Sequence, residues 1–268
     1  GSRAHLCGGS RTRAPRVRNR PRRPRDAYFA DLYCGTGGVG RKIRRRKFRV
    51  AFYDIRYGSQ FDLTSKANIR RLRRDVRAGR LVGAMIAITC TSWSVARNRT
   101  NVRRTAAQPW GVIDPIKPFS ERDLASLAAG NLQLRRLLPL LKDLQLMQVP
   151  WILENPATSN IWHVPALKRI SRERGAEVIL VDQCAFGAPW RKRTRLLCCN
   201  CDGQDVLALS SFRCHGRGVC DHSGRPHVQL TGSDANGRPL TQRAQTFPPR
   251  FASKLCNVLV SRELGCRS

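Results

Sequence analysis

Residues 27–40 read AYFADLYCGTGGVG, a short apolar run that ends in a glycine-rich turn. An apolar run of this length, without alternation, is typical of a strand buried on both faces of a parallel sheet. Similar runs begin at Phe48, Leu81, Val149, Ala176 and Arg195. Between them, leucine and alanine at helical spacing predict a helix over 123–147, which Pro139 should kink or split, and a closing helix over 247–264. This alternation predicts an α/β fold with a doubly wound, mainly parallel sheet.

Composition divides the chain into three parts. Residues 1–25 are rich in arginine, proline and glycine and have few large apolar side chains, which predicts a flexible cationic arm. The alternation of strands and helices covers residues 26–199 and returns in 238–268, so these two stretches are predicted to form the main domain. Residues 200–237, dominated by glycine, cysteine, histidine and arginine, are predicted to be a small insert.

The charge of the chain indicates a polyanionic partner. The 268 residues include 50 Lys and Arg against 18 Asp and Glu, a formal net charge of +32. Most of the cations are arginine, whose planar fork of donors matches phosphate, so nucleic acid is the expected partner. The plain alternative is an arginine-heavy composition with solvated faces. No stretch approaches the roughly 20 consecutive apolar residues of a membrane span, and no apolar segment follows the basic N-terminal residues as in a secretory signal.

Cysteine usage indicates a reducing compartment and a metal. Eleven cysteines, an odd number without an export signal, predict an intracellular protein, nuclear if the cell is eukaryotic, rather than a disulfide framework. Thiols and imidazoles crowd into residues 198–227, and the predicted insert of about 40 residues is too short for a large apolar core, so a zinc ion is predicted. The candidate ligands are Cys199, Cys201, Cys214, His215, Cys220 and His222, with His227 as a further candidate. The alternative is a basic loop with reduced cysteines.

Polar residues stand where predicted strands end, the edge at which α/β proteins bind ligands. Asp31 precedes the glycine-rich turn, and Asp54, at the end of the next strand, is placed to meet a ribose hydroxyl pair. Cys90 follows the third strand, and a nearby cation could make its thiol a nucleophile. Glu154 and Asn155 end a later strand. The plain alternatives are a helix cap or surface acid for Asp54, a buried structural thiol for Cys90, and a helix cap for the Glu-Asn pair.

In this order, the motifs resemble those of the DNA (cytosine-5)-methyltransferase family. Residues 31–38 (DLYCGTGG) look like the cofactor-binding motif of that family. Residues 89–94 (TCTSWS) look like its Pro-Cys loop, and residues 154–156 (ENP) look like its Glu-Asn-Val motif. Residues 186–195, FGAPWRKRTR, are similar to its Gly-x-Pro-Gln-x-Arg-x-Arg motif with one extra residue. The resemblance spans residues 26–197 and the last helix, and is to compact, divergent members encoded by viruses and mobile elements. The chain departs from the family at Thr89, Pro156, Trp190 and Arg191.

The resemblance implies the fold of a class I S-adenosylmethionine-dependent methyltransferase and assigns roles to single residues. The implied catalytic residues are Cys90, Glu154, Arg193 and Arg195. The implied cofactor-binding residues are Asp31, Tyr33, Cys34, Gly35, Gly37, Gly38, Asp54, Ile55 and Asp62. The implied nucleic-acid-binding residues are Ser92, Ser94, Arg97, Arg99, Arg103 and Arg104, in a mobile loop over 91–104.

The implied activity is methyl transfer from S-adenosyl-L-methionine to C5 of cytosine in DNA, through a covalent Cys90 adduct with a flipped base. Glu154 would protonate the base at N3, and Arg195 would orient Glu154 or pair with the base carbonyl. The expected protein is a monomer with no membrane partner. Two alternatives stay open: an RNA cytosine-5 methyltransferase, and a catalytically weak, arginine-rich nucleic-acid-binding protein that keeps the fold.

Overall fold

A computed structural model describes residues 24–95, 104–112, 119–233, 235–237 and 239–264. Its centre is a six-stranded sheet in the order β2-β1-β3-β4-β6-β5. The strands are β1 Tyr28–Leu32, β2 Val50–Tyr53, β3 Leu81–Ile86, β4 Trp151–Pro156, β5 Ala176–Asp182 and β6 Arg193–Cys199. Among the described strands, β6 runs in the direction opposite to the other five, so its pairings with β4 and β5 are antiparallel. The prediction of an α/β fold with a mainly parallel sheet is confirmed.

Helices cover both faces of this sheet. They are α1 Gly38–Arg45, α2 Lys66–Arg77, α3 Glu121–Leu146, α4 Pro165–Ile170, α5 Gly203–Ser210, α6 Leu240–Arg243 and α7 Pro249–Leu264. One core lies between the sheet and α2 and α3, and includes Leu72 and Leu141. The other lies under α1, α5 and α7, and includes Ile43 and Leu255. None of the helices in the described ranges is both long and apolar enough to cross a membrane.

Helix α3 runs through Pro139 as one element, so the expected split does not occur. Proline removes one backbone donor and crowds the preceding turn. Here the C-terminal half of α3 buries Leu137, Leu140, Leu141 and Leu144 completely against the sheet. Burial of four leucines is worth several kcal/mol, at roughly 1.5–3 kcal/mol each, and this exceeds the cost of about 3 kcal/mol for an interior proline.

The first part of the predicted insert, residues 200–237, packs against the core of the main domain. Helix α5, at residues 203–210, begins at the Asp202 cap and buries Val206 and Leu209 in the core under α7. After α5 the chain becomes polar, and residues 213–233 contain only two buried side chains, Cys214 and Cys220. The signal for α5 was present in the sequence: the cap at Asp202 and the apolar pair three residues apart.

Candidate active site

The glycine-rich turn joins β1 to α1 around a buried carboxyl group. Asp31 lies in β1, and its Oδ2 accepts a hydrogen bond of 2.8 Å from the Gly40 backbone N–H. A Cβ on Gly40 would lie 2.8 Å from the same oxygen, so only glycine allows this approach. Burial raises the pKa of Asp31 from its ordinary value of 3.8 to about 7, although the Gly40 hydrogen bond acts in the opposite direction. The carboxyl group therefore titrates near neutral pH.

Asp54 caps the short 3-10 turn Ile55–Tyr57 that follows β2. Its Oδ1 accepts from the Arg56 backbone N–H at 3.0 Å, and its Oδ2 accepts from the Gly35 N–H at 2.8 Å. The capping alternative for Asp54 is therefore realised, and the carboxylate also fixes the glycine-rich turn. Two carboxylate oxygens offer about four lone-pair sites, so Asp54 keeps capacity for a hydroxyl donor. The neighbouring Ile55 side chain is 61% exposed and offers an apolar face beside it.

The other implied cofactor residues support the same turns. Gly35 and Gly37 have positive φ angles of 53° and 67°, and Tyr33 has 54°. Burial raises the pKa of the half-buried Cys34 thiol to about 12. Asp62 accepts hydrogen bonds from the N–H and hydroxyl of Thr64, just before α2. Gly38 begins α1.

A cavity of about 880 Å³ opens beside the outer edge of β2. Its lining includes four arginines and the rings of Tyr28, Phe52, Tyr53, Tyr57 and Phe61, but none of the nine implied cofactor residues. We assign the candidate site to the strand ends rather than to this cavity, because Asp31, Asp54 and Cys90 lie at the strand ends.

Cys90 stands in a tight turn after β3. Its carbonyl accepts hydrogen bonds of 3.0 Å from the backbone N–H groups of Trp93 and Ser94. The side chain is half-buried. Burial raises the pKa of the Cys90 thiol, Lys192 acts to lower it, and Glu154 acts to raise it. The charges of Lys192 and Glu154 therefore both act on the Cys90 thiol.

Glu154 is a buried acid at the C-terminal half of β4. Burial raises the pKa of its carboxyl group, and Lys192 acts in the opposite direction. Its Oε1 has no hydrogen-bond partner among the described residues. A raised pKa favours the protonated form, so Glu154 has the character of a proton donor.

Two hydrogen bonds join the Cys90 segment to the Glu154 segment. Asn155 donates from Nδ2 to the Ile88 carbonyl at 2.8 Å, and the Asn160 N–H donates to the Trp93 carbonyl at 2.9 Å. Ile88 and Trp93 lie on either side of Cys90 in the chain. The thiol and the acid are therefore held on a common framework.

Strand register explains why Lys192, which sequence analysis missed, interacts with both groups. Glu154 pairs with Leu196 across β4 and β6, and Asn155 pairs with Arg195. Side chains alternate between the faces of a strand, so Arg193 and Arg195 share the face of Asn155, opposite to Glu154. The prediction from sequence missed Lys192 because it assumed one extra residue in this motif. When the motif is aligned without that residue, Lys192 rather than Arg193 matches the first arginine of the family pattern.

Arg193 is engaged elsewhere, which corrects its predicted action on the base. Its Nε and a terminal nitrogen donate to the fully buried Asp182 carboxylate at 3.0 and 3.3 Å, and Arg191 and Arg213 also lie within 4 Å of that carboxylate. Arg195 packs over the Trp162 ring, with 5.4 Å between guanidinium carbon and ring centroid. Burial lowers the pKa of Arg195.

Arg104 is a buried structural residue, which corrects its predicted contact with phosphate. Its guanidinium donates to the carbonyls of Ser92 and Pro109 at 2.8 and 2.7 Å and to Asn131 Oδ1 at 2.8 Å. It also lies 3.6 Å from the centroid of the Trp93 ring. Ser92 is buried and its hydroxyl accepts from Arg104, while Ser94 is half-buried in the turn. The implied contacts of Arg97, Arg99 and Arg103 lie outside the described residues.

The structure brings together three of the seven candidate metal ligands, namely Cys214, Cys220 and His227. Cys214 and Cys220 meet Cys184 and His227, with one ligand atom from each residue within 4.8 Å of all the others. Cys199 is buried in β6 against the α2–α3 core, and the Cys201 thiol is directed to the carbonyls of Trp151 and Cys199. His215 is exposed, and His222 Nε2 lies 2.8 Å from the Arg213 carbonyl oxygen. The expected ligand set is corrected accordingly.

Comparison with known proteins gives distant structural similarity. No model of a protein family matches the chain, and no curated protein matches it. A methyltransferase of Entamoeba histolytica, EhMeth, superposes with a TM-score of 0.37 and 11% identity over 64% of this chain and 52% of that chain. The Dnmt2 methyltransferase of S. pombe superposes with a TM-score of 0.39 and 16% identity over 69% of this chain and 55% of that chain. The chain thus spans about half the length of these structures, and scores of this size assign no activity.

Proposed function

We propose that this protein transfers a methyl group from S-adenosyl-L-methionine to C5 of cytosine in DNA. The observation that supports this function best is that the hydrogen bond from Asn155 to the Ile88 carbonyl holds the Cys90 turn against the strand that carries Glu154, while Lys192 acts on the pKa of both groups. A thiol, a cation that favours its thiolate and a buried acid with a raised pKa are the groups that addition to a pyrimidine ring needs. Cys90 follows β3, and Glu154 lies in the C-terminal half of the adjacent strand β4.

The chemistry of the base explains why these groups are needed. Cytosine C5 is a poor nucleophile, and addition of the Cys90 thiolate to C6 converts the ring to an enamine. Glu154 gives its proton to N3 as the new C6–S bond forms, so no full negative charge develops on the ring. When bound, S-adenosylmethionine would provide an electrophilic methyl group for C5, and the electron pair of the broken S–CH3 bond would stay on its sulfur. Loss of the C5 proton to water then breaks the C6–S bond, which restores the thiolate, and the N3 proton returns to Glu154.

The turns after β1 and β2 fit the cofactor. The close approach of Gly40 to Asp31 leaves no room for a side chain, which keeps the backbone of the turn near the carboxyl group. Asp54 would accept from the ribose hydroxyls through its remaining lone pairs, and the exposed Ile55 would contact the adenine ring. Asp31 would stand near the charged methionine end. These roles use only the strand-end residues and leave Cys90 free for the base.

The net charge of +32 supports a nucleic-acid substrate, since basic side chains neutralise phosphates. In duplex DNA the target atom is hidden in the stack, so the cytosine must be flipped out to reach Cys90. We propose DNA, and an RNA substrate is the alternative that experiment can separate.

The experiment measures transfer of a labelled methyl group to cytosine-containing duplex DNA and to a matched RNA. We expect transfer to DNA, loss of transfer in Cys90→Ala, and cofactor affinity within a few-fold of the parent protein, because Cys90 and the glycine-rich turn follow different strands. Cys256→Ala, in α7, is the matched cysteine control. DNA containing 5-fluorocytosine should trap a covalent adduct on the peptide that contains Cys90.

Each outcome has a defined meaning. An active Cys90→Ala enzyme would overturn the mechanism. Methyl transfer to RNA but not to DNA would support the proposed reaction and identify RNA, rather than DNA, as the substrate. Nucleic-acid binding without methyl transfer or adduct would favour a binding protein that retains the fold.

A further inference from the structure

A four-residue cluster lies outside the proposed active site. Cys184 belongs to the 3-10 turn after β5, whereas Cys214, Cys220 and His227 come from the polar segment after α5. The three cysteines are buried and form a separate cluster of their own. The Sγ of Cys214 lies 3.5 Å from Nε2 of His227. We propose that these residues bind one structural zinc ion.

The spacing of the ligand atoms matches tetrahedral zinc. With Zn–S bonds of about 2.3 Å and Zn–N bonds of about 2.0 Å, a tetrahedral site needs sulfur–nitrogen separations of about 3.5 Å and sulfur–sulfur separations of about 3.8 Å. The Cys214–His227 distance has this value, and all four ligand atoms lie within 4.8 Å of one another. A small contraction around the ion completes the site.

The burial pattern of the segment gives an independent reason. Between residues 213 and 233, the described side chains are exposed or half-buried except for Cys214 and Cys220. Even Val219 and Val228 are about half exposed. A segment of this size without an apolar core needs another source of stability, and metal binding supplies it in small domains. Its two buried residues are both thiols that face the cluster.

The donor set selects zinc and a structural role. Three thiolates and one imidazole form a closed set of four, with no carboxylate and no open position for a substrate. The ion with three thiolates carries a net charge of −1, and the surroundings are cationic. Arg191 donates to the carbonyls of Cys214 and Gly216, and Arg213 lies beside Asp182 at 3.4 Å. A disulfide would use two of the three thiols and leave the third without a partner.

The site joins the polar segment to the loop that carries Lys192. The Cys214 N–H donates to Asp182 Oδ2 at 2.9 Å, and the Val228 N–H donates to the Pro189 carbonyl at 2.8 Å. The ion would therefore hold residues 214–228 against both the end of β5 and the start of β6. This inference concerns metal binding alone and does not depend on methyl transfer.

The first experiment measures metal content by mass spectrometry on the full chain purified with a reductant. We expect one zinc per chain, retained in His222→Gln and lost in Cys214→Ser, Cys220→Ser, Cys184→Ser and His227→Gln. His222 is the matched control because it lies in the same segment and was expected to be a ligand from sequence. Replacement of zinc by Co²⁺ should give the strong ligand-field and thiolate charge-transfer bands of a tetrahedral thiolate site. A parent protein without zinc and without these bands would overturn the proposal, and loss of zinc in His222→Gln would overturn the ligand set.

The second experiment uses the unmodified chain, so that misfolding of a variant does not decide the result. Zinc removal by a strong chelator should open the segment to trypsin at Arg213 and Arg217, and added zinc should restore protection. Cleavage that is the same with and without zinc would contradict a structural role.

Discussion

The buried carboxyl group of Asp31 should make the stability of the free protein depend on pH in a way that Asp31→Asn removes. Burial raises the pKa of Asp31 from 3.8 to about 7. Below pH 4 the group is protonated in the folded and the unfolded chain, so it contributes no difference. Between pH 4 and 7 the unfolded chain ionises while the folded chain keeps its proton, so the free energy of unfolding falls as the pH rises.

The magnitude follows from the width of this window. It spans about three pH units at about 1.4 kcal/mol each, so the cost at pH 8 is about 4 kcal/mol. Asparagine keeps the shape and an oxygen for the Gly40 N–H but does not ionise. We therefore expect Asp31→Asn to match the parent protein near pH 4 and to exceed its free energy of unfolding at pH 8 by about 2–4 kcal/mol.

The assay is urea unfolding, followed by circular dichroism at several pH values and constant ionic strength. Urea is chosen because it leaves charge screening unchanged. Asp26→Asn is the control, because its carboxyl group is half exposed. A stability difference for Asp31→Asn that is equal at pH 4 and pH 8, or that favours the parent protein at pH 8, would refute the reasoning.

Four further predictions concern the candidate site and its surroundings. Lys192→Met removes a cation that lowers the pKa values of Cys90 and Glu154, so the pH–rate profile of methyl transfer should move to higher pH; an unchanged profile would exclude this role. Asp54→Ala should weaken S-adenosylmethionine binding in calorimetry by about 1–3 kcal/mol, the value of a hydrogen bond to a charged group. Gly130→Ala would drive a Cβ into the Ser92 hydroxyl, and thermal unfolding should show destabilisation of about 1–3 kcal/mol for this overpacking. Deletion of residues 1–25 should flatten the slope of log affinity against log salt by several units, since each duplex phosphate contributes about 0.9, whereas changes within 200–237 should alter the chosen cytosine with little change in slope.

The sequence was sufficient for the sheet and for the positions of the strand-end residues. Apolar runs marked each described strand, and parallel strands bring their C-terminal ends to one edge, so the motifs after β1, β2 and β3 were predicted to be neighbours. The ends of the strands were less certain because polar turns begin inside the apolar runs: the run 81–89 yields a strand of Leu81–Ile86. Helices α1 and α2 were missed because arginines outnumber the apolar residues on them.

The roles of Lys192, Arg104 and Cys184 could not be predicted from the sequence, because they depend on strand register and on contacts between residues far apart in the chain. A shift of one residue in β6 exchanges the two faces of the strand, so the sequence motif favoured Arg193 where the structure brings Lys192. Burial of Arg104 depends on a gap at Gly130 in α3, 26 residues away, which no local pattern encodes. Cys184 joins Cys214 across 30 positions, and the hydrogen bonds of Asp182 with Phe212 and Cys214 hold the two segments together.

The two hydrogen bonds that bracket Cys90 have a consequence for local unfolding. Because Asn155 holds the Ile88 carbonyl and Asn160 holds the Trp93 carbonyl, the turn after β3 cannot separate from β4 unless both bonds break. The thiol and the buried acid therefore belong to one cooperative unit, which opens as a whole. Amide exchange at Trp93 and Asn160 should then proceed at a common opening free energy.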